Sequence, residues 1–82
     1  MPYVKQDRRS DLNKVVVAMT EAGVKADGDL NYIIFRFAKY HITPSYGNYK
    51  NLLGELNEAA AEIRRRLLIP YEEKKIIEHG DV

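Results

Sequence analysis

The stretch Ser45–Ile69, SYGNYKNLLGELNEAAAEIRRRLLI, is the longest periodic segment of the chain, and its reading decides the fold. Tyr49, Leu52, Leu53, Leu56, Ala60, Ile63 and Leu67 follow one another at intervals of three and four, with one adjacent pair. That rhythm places them on one stripe of a 3.6-residue helix, roughly 100° wide. Ser45 is a good N-cap, and Pro44 before it stops whatever precedes. Asn48, Lys50, Asn57, Arg64 and Arg65 fall off the stripe and are expected to face water. Glu62 stands three residues before Arg65 and four before Arg66, the order that favours side-chain pairing on a helix surface. At about 1.5 Å per residue the segment makes a rod of roughly 37 Å.

Gly47, Gly54 and Ala61 recur every seven residues, well away from the Leu/Ile stripe. Glycine inside a helix costs about 1 kcal/mol against alanine and is tolerable where another backbone comes close. The spacing raises two readings of equal weight: a second buried face that meets a partner, or an exposed face on which Gly54 is incidental.

Size and composition bound the rest. The 82 residues are read as one domain, 1–82, without internal repeats or a linker. A chain this short buries a modest share of its surface, so oligomerisation or tight helix packing must supplement its stability. Cysteine is absent, which excludes disulfides and thiolate-metal sites and fits a reducing cytosol. Thirteen basic and twelve acidic residues give a net charge of +1, which argues against a nucleic-acid arm or an acidic tail. No apolar run approaches the ~18 residues that span a membrane, and MPYVKQDRRSD lacks the apolar core of a signal peptide. The expectation is a cytoplasmic protein with no membrane partner.

Taken in order, residues 1–9 carry Pro2 and charge and read as an extended arm, with Tyr3 and Val4 able to dock on the body. Ser10 is read as the cap of a first helix over 11–22, with Leu12, Val15, Val16, Met19 and Ala22 on its inner face and Gly23 just past its end. VKADGD, 24–29, is a turn. Asp27 or Asp29 caps a second helix over 29–41, whose inner stripe is Leu30, Ile33, Ile34, Phe37 and His41. Phe35 lies off that stripe, and Arg36 and Lys39 are expected in solvent. Thr43-Pro44 ends this helix, because the residue before proline avoids the α region. Pro70 interrupts the long helix and opens a short last helix or a kinked continuation, 70–82, with Gly80 as its stop. Ile76 and Ile77, with Tyr71, are the only burial handles there, which suggests docking on a neighbouring subunit. The fold class is all-α: a small bundle of three main helices plus a short C-terminal helix, with helices two and three as an antiparallel hairpin.

Few residues here can carry chemistry. The two histidines, His41 and His79, lack the helical or cysteine partners of a zinc site, and Glu55, Glu58 and Glu62 read as a wet face. Ser10 and Ser45 sit at cap positions, no G-x-S-x-G elbow is present, and neither phosphate-loop signature occurs. No enzyme and no cofactor are expected. Arg64, Arg65 and Arg66 are the one sharp basic feature. Three consecutive residues spread over about 200° of helix, so pairing with Glu62 and the helix dipole is the favoured explanation. The alternative gathers Arg8, Arg9, Arg64, Arg65 and Arg66 with Tyr49 and Tyr71 into a pocket for a phosphate-bearing ligand such as a nucleotide, since arginine forks grip phosphate and tyrosine rings stack on bases.

MPY…RR at 1–9, GDLNY at 28–32, and RR…PYEEKKIIEHGDV at 65–82 resemble a family of short hypothetical proteins of bacteria and tailed phages, over nearly the whole chain. The resemblance implies a compact helical protein, phage-related, and carries no known activity or binding residue. The E-L-N-E-A-A-A-E-I-R-R run is also loosely similar to small helical hairpin proteins with which phages sequester nucleotide signals, a likeness of fold alone.

Two main functions follow as expectations. The first is a non-enzymatic interaction module, a homo-oligomer or a binder of a protein partner, with Gly47, Gly54, Ala61, Phe35, Ile76 and Ile77 as the interface. The second is a sequesterer of a nucleotide-like ligand through the arginines and tyrosines named above. A nucleic-acid accessory is a third and weaker reading.

Overall fold

A computed structural model describes residues 4–82, and among these every regular element is helical. The elements are α1 (Gln6–Glu21), α2 (Gly28–His41), α3 (Tyr46–Ile63), a π turn (Arg64–Leu68) and α4 (Ile69–His79). The protein is all-α. Its described residues divide into two compact units, 4–49 and Lys50–Val82, with the boundary inside α3. An antiparallel pairing of the second and third helices would lie across that boundary.

In the first unit, local chemistry fixes the helix ends. α1 begins earlier than Ser10: its N-cap is Lys5 in an extended conformation, with no side-chain capping bond. Ser10 is an interior helical residue, so the extended arm expected over 1–9 is cut short at its described end. Two features mark this end of the helix. Asp7 places negative charge in the first turn, where the helix dipole favours it, and Arg9 Nε donates 3.0 Å back to the Val4 carbonyl. Tyr3 and the residues before it, with the docking expected of Tyr3, lie outside the described residues.

The end of α1 matches the Gly23 expectation closely. Gly23 has φ +71°, its N–H donates 3.0 Å to the Thr20 carbonyl, and the Val24 N–H donates 3.0 Å to Met19. This is a complete Schellman motif, with half-buried Val24 and Met19 at the two positions whose apolar contact usually accompanies it. Of the two aspartates considered for α2, Asp27 is the cap: its carboxylate accepts from the Asp29 N–H at 2.9 Å. Asp29 instead accepts from the Lys25 N–H at 3.2 Å and pins the turn. α2 ends at His41, and Ile42 is extended (φ −105°, ψ 122°) ahead of Thr43-Pro44. Ser45 caps α3, its Oγ accepting from the Asn48 N–H at 3.0 Å, while Asn48 Nδ2 donates 2.9 Å to the Thr43 carbonyl.

The described part of the second unit is one helical run. Pro70 does not stop it. A proline inside an α-helix lacks the N–H for the i→i−4 bond, and its ring collides with the carbonyl four residues back, here that of Arg66. Arg64–Leu68 answers by widening to a π turn, in which the Ile69 N–H donates to the Arg64 carbonyl five residues back. Pro70 then sits in the first turn of α4. Leu68 and Ile69 keep helical dihedrals throughout, so the expected last helix is joined to α3. Gly80, with φ +82°, ends it.

Candidate functional site

The stripes read as inner faces are not sealed. Among the described residues none is buried. Met19, Leu30, Ile33, Ile34, Leu52 and Leu56 are half-buried, whereas Val15 and Val16 on α1, Phe37 on α2, and Leu53, Ile63 and Leu67 on the long run are exposed. Periodicity identifies which residues share a face, but it does not say what covers that face.

The arginines of the expected anion pocket are spread over both units and most already hold an oxygen. Arg8 pairs with Asp11 at 3.5 Å, and Asp11 also meets Lys14 at 3.3 Å. Arg9 holds the Val4 carbonyl. Glu62 takes Arg65 in a fork, with Nη2 lying 3.1 and 3.0 Å from its two oxygens, and Arg66 stands 3.9 Å from the same carboxylate. This is the pairing that the three- and four-residue spacing favours. No ion pair of Arg64 is formed among the described residues. Tyr71 lies under Lys75, whose Nζ is 5.4 Å from the ring centroid, and Tyr49 belongs to the first unit.

The interface residues expected from the sequence are open in the single chain. A Cβ placed on Gly47 or Gly54 would meet nothing within 4 Å among the described residues beyond the glycine's own stretch of helix. Phe35 is 64% exposed and Ile77 85%, while Ile76 is exposed to a lesser degree. Among the described residues no helix is long and apolar enough to cross a membrane, and no three acidic or imidazole side chains converge as a metal site would require.

One arrangement was missed by the sequence reading. Arg36, expected simply in solvent, lies between two tyrosines on α2. Its guanidinium carbon is 4.9 Å from the Tyr40 ring centroid and 5.9 Å from that of Tyr32, and Nη1 donates 3.3 Å to the Tyr32 hydroxyl. Lys39 adds its ammonium at 5.5 Å from the Tyr40 ring. The signal was present: Tyr32, Arg36 and Tyr40 stand four apart, which stacks them along one line of a helix. On the neighbouring line Phe37 and His41 stack with centroids 6.0 Å apart. Such cation–π contacts at exposed sites are worth about 0.5–1 kcal/mol each. They stiffen an exposed aromatic face rather than build a pocket.

All of this describes helices bearing unsealed apolar stripes and locally neutralised charge. A family model for a domain of unknown function, DUF6899, matches residues 1–82. The chain belongs to that family, in keeping with the resemblance to proteins of unknown function drawn from its three short motifs. No curated protein and no solved structure matches the chain.

Proposed function

We propose that this protein is a non-catalytic interaction module that works as a homo-oligomer through its apolar helix faces. The observation that carries this reading is the exposed stripe of the second unit, where Leu53, Ile63 and Leu67 are each more than half exposed. A lone helical run cannot bury such a stripe against itself, and helices in proteins owe most of their stability to packing of that face. Removing a leucine or isoleucine side chain from water stabilises by about 1.5–3 kcal/mol, so a partner surface offers the chain more than any surface ion pair does. Contiguous exposed apolar surface of this kind marks sites of protein association. A net charge of +1 sets little electrostatic repulsion against self-association.

Sedimentation equilibrium over a wide concentration range tests this. The expected mass is a whole multiple of 9.5 kDa, with a midpoint of unfolding that rises with concentration, since association stabilises by mass action. A chain that is fully helical and monomeric at the highest concentration reached would refute it.

A further inference from the structure

We infer that two copies of this chain pair antiparallel along the long helix, about a two-fold axis at Ala60. The inference rests on the homo-oligomer reading and specifies its interface. It starts from a symmetry in the apolar stripe. Counting outward from Ala60, Leu53 and Leu67 are each seven residues away, and Leu52 and Leu68 are each eight away. Leu56 and Ile63 stand four and three away. In the sequence the same reflection relates Tyr49 and Tyr71, each eleven from the centre. A two-fold interface is self-complementary: where residue i meets residue j, j also meets i. An antiparallel copy therefore sets leucine pair against leucine pair and Leu56 beside Ile63, with small alanines at the crossing where two helices come closest.

The π turn makes this pattern usable. In an unbroken α-helix Leu68 would stand about 140° around the axis from Ile63, so this member of the pattern would leave the stripe. The five-residue π turn Arg64–Leu68 brings Leu68 back over Ile63. Leu67, Leu68 and Tyr71 are all exposed.

The edges of the stripe agree in charge. Glu55 and Arg66 lie on the same edge of the run, with Ala60 five residues from one and six from the other. The antiparallel copy thus places each glutamate beside the other chain's arginine, twice over by symmetry. On the opposite edge Lys50 and Glu72, ten and twelve residues from Ala60, meet in the same way. Glu58 comes opposite the other copy's Glu62, whose charge is already met by Arg65 and Arg66 of its own helix. Opposite charges at flanking positions of this kind select orientation and register.

The chain contains no cysteine, so single cysteines report the geometry directly in the full-length protein. A disulfide needs Cα atoms within about 7 Å. Under mild oxidation Ala60→Cys is expected to form a covalent dimer, and Ala61→Cys, which points to the Gly54 side of the helix, is expected to stay uncrosslinked. Leu53→Cys alone should not crosslink, but mixed with Leu67→Cys it should give the heterodimer. Leu53→Glu provides an independent check: it is expected to lose the dimer in sedimentation while its circular dichroism stays helical. Self-crosslinking of Leu53→Cys would mean a parallel pair and overturn the antiparallel arrangement. Crosslinking at Ala61 with none at Ala60, in a chain that still sediments as a dimer, moves the interface to the glycine face and overturns the inference while the homo-oligomer reading stands. A monomer at every concentration removes both.

Discussion

The two units meet their interior stop signals in opposite ways. In residues 4–49, three of the four interior helix ends are closed by a residue suited to them: Gly23 in the left-handed region, the Asp27 carboxylate on the Asp29 N–H, and the Ser45 hydroxyl on the Asn48 N–H. In Lys50–Val82 the run meets a proline, the residue least suited to a helix interior, and continues through it with a changed hydrogen-bond pitch. Local stop signals prevail where the chain offers the freed backbone groups a replacement partner. Around Pro70 no side-chain cap is present, with Leu68 heading α4 without a capping bond. The wider turn keeps the surrounding amides bonded instead.

The sharpest way to break this contrast is Pro70→Ala. Proline costs a helix interior about 3 kcal/mol against alanine, and the π turn with Pro70 in the first turn of α4 already relieves part of that, so the substitution should stabilise the second unit locally by up to about 3 kcal/mol, read as slower amide exchange over residues 64–75. It should also let the π turn relax to regular α pitch. Leu68 would then leave the apolar stripe, and self-association should weaken although the helix is stronger. Gain of helix with loss of assembly is a combination that a simple stabilisation of the fold does not produce. If both rise together, the π turn has no part in setting the stripe.

The next effect is smaller and opposite in sign. Gly23 holds φ +71°, a conformation in which an L-residue pays roughly 1–2 kcal/mol. Gly23→Ala should lower stability by that order in denaturant titration and fray the end of α1 first, with amide exchange at Val24 accelerating before exchange in α3 does. Gly54→Ala is expected to act in the opposite direction. A Cβ there meets nothing within 4 Å, so the substitution should raise stability by about 1 kcal/mol with the sedimented mass unchanged. A loss of assembly at Gly54→Ala would instead assign the interface to the glycine face.

How much of this was legible follows from the same contrast. The Gly23, Asp27 and Ser45 ends are readable because each depends on one residue and its immediate neighbours. The start of α1 was misread because Ser10 has the chemistry of a cap, whereas the real N-cap, Lys5, makes no side-chain bond that a sequence could announce. Pro70 has two physical outcomes, a break or a widened turn, and the choice between them belongs to the whole surrounding helix. The candidate site was legible in part. Glu62 with Arg65 and Arg66 follows from spacing alone, and so does the Tyr32–Arg36–Tyr40 ladder, which runs beside the stronger apolar signal of Leu30, Ile33, Ile34 and Phe37. What covers Leu53 and Ile63 is not written in α3 by itself, since a stripe has a face but no address.

The Glu62 fork provides the smallest effect and the test between ligand pocket and surface charge. Arg65 and Arg66 both reach this one carboxylate, at 3.0 and 3.9 Å, and both arginine side chains are more than half exposed. Glu62 is half-buried, but with its arginine partners in solvent a pair of this kind contributes about 0.2–1 kcal/mol and is screened by salt. Arg65→Gln should therefore shift the unfolding midpoint only slightly, and the difference from the parent chain should shrink at high salt. Nucleotides and inorganic phosphate should leave the midpoint of both proteins where it is. Were Arg64, Arg65 and Arg66 a phosphate site, the ligand would stabilise the parent in proportion to its occupancy, and Arg65→Gln would abolish that gain. The geometry argues for the first outcome: three consecutive arginines splay around the helix, and Arg65 and Arg66 have met their counter-charge one turn earlier on the same helix.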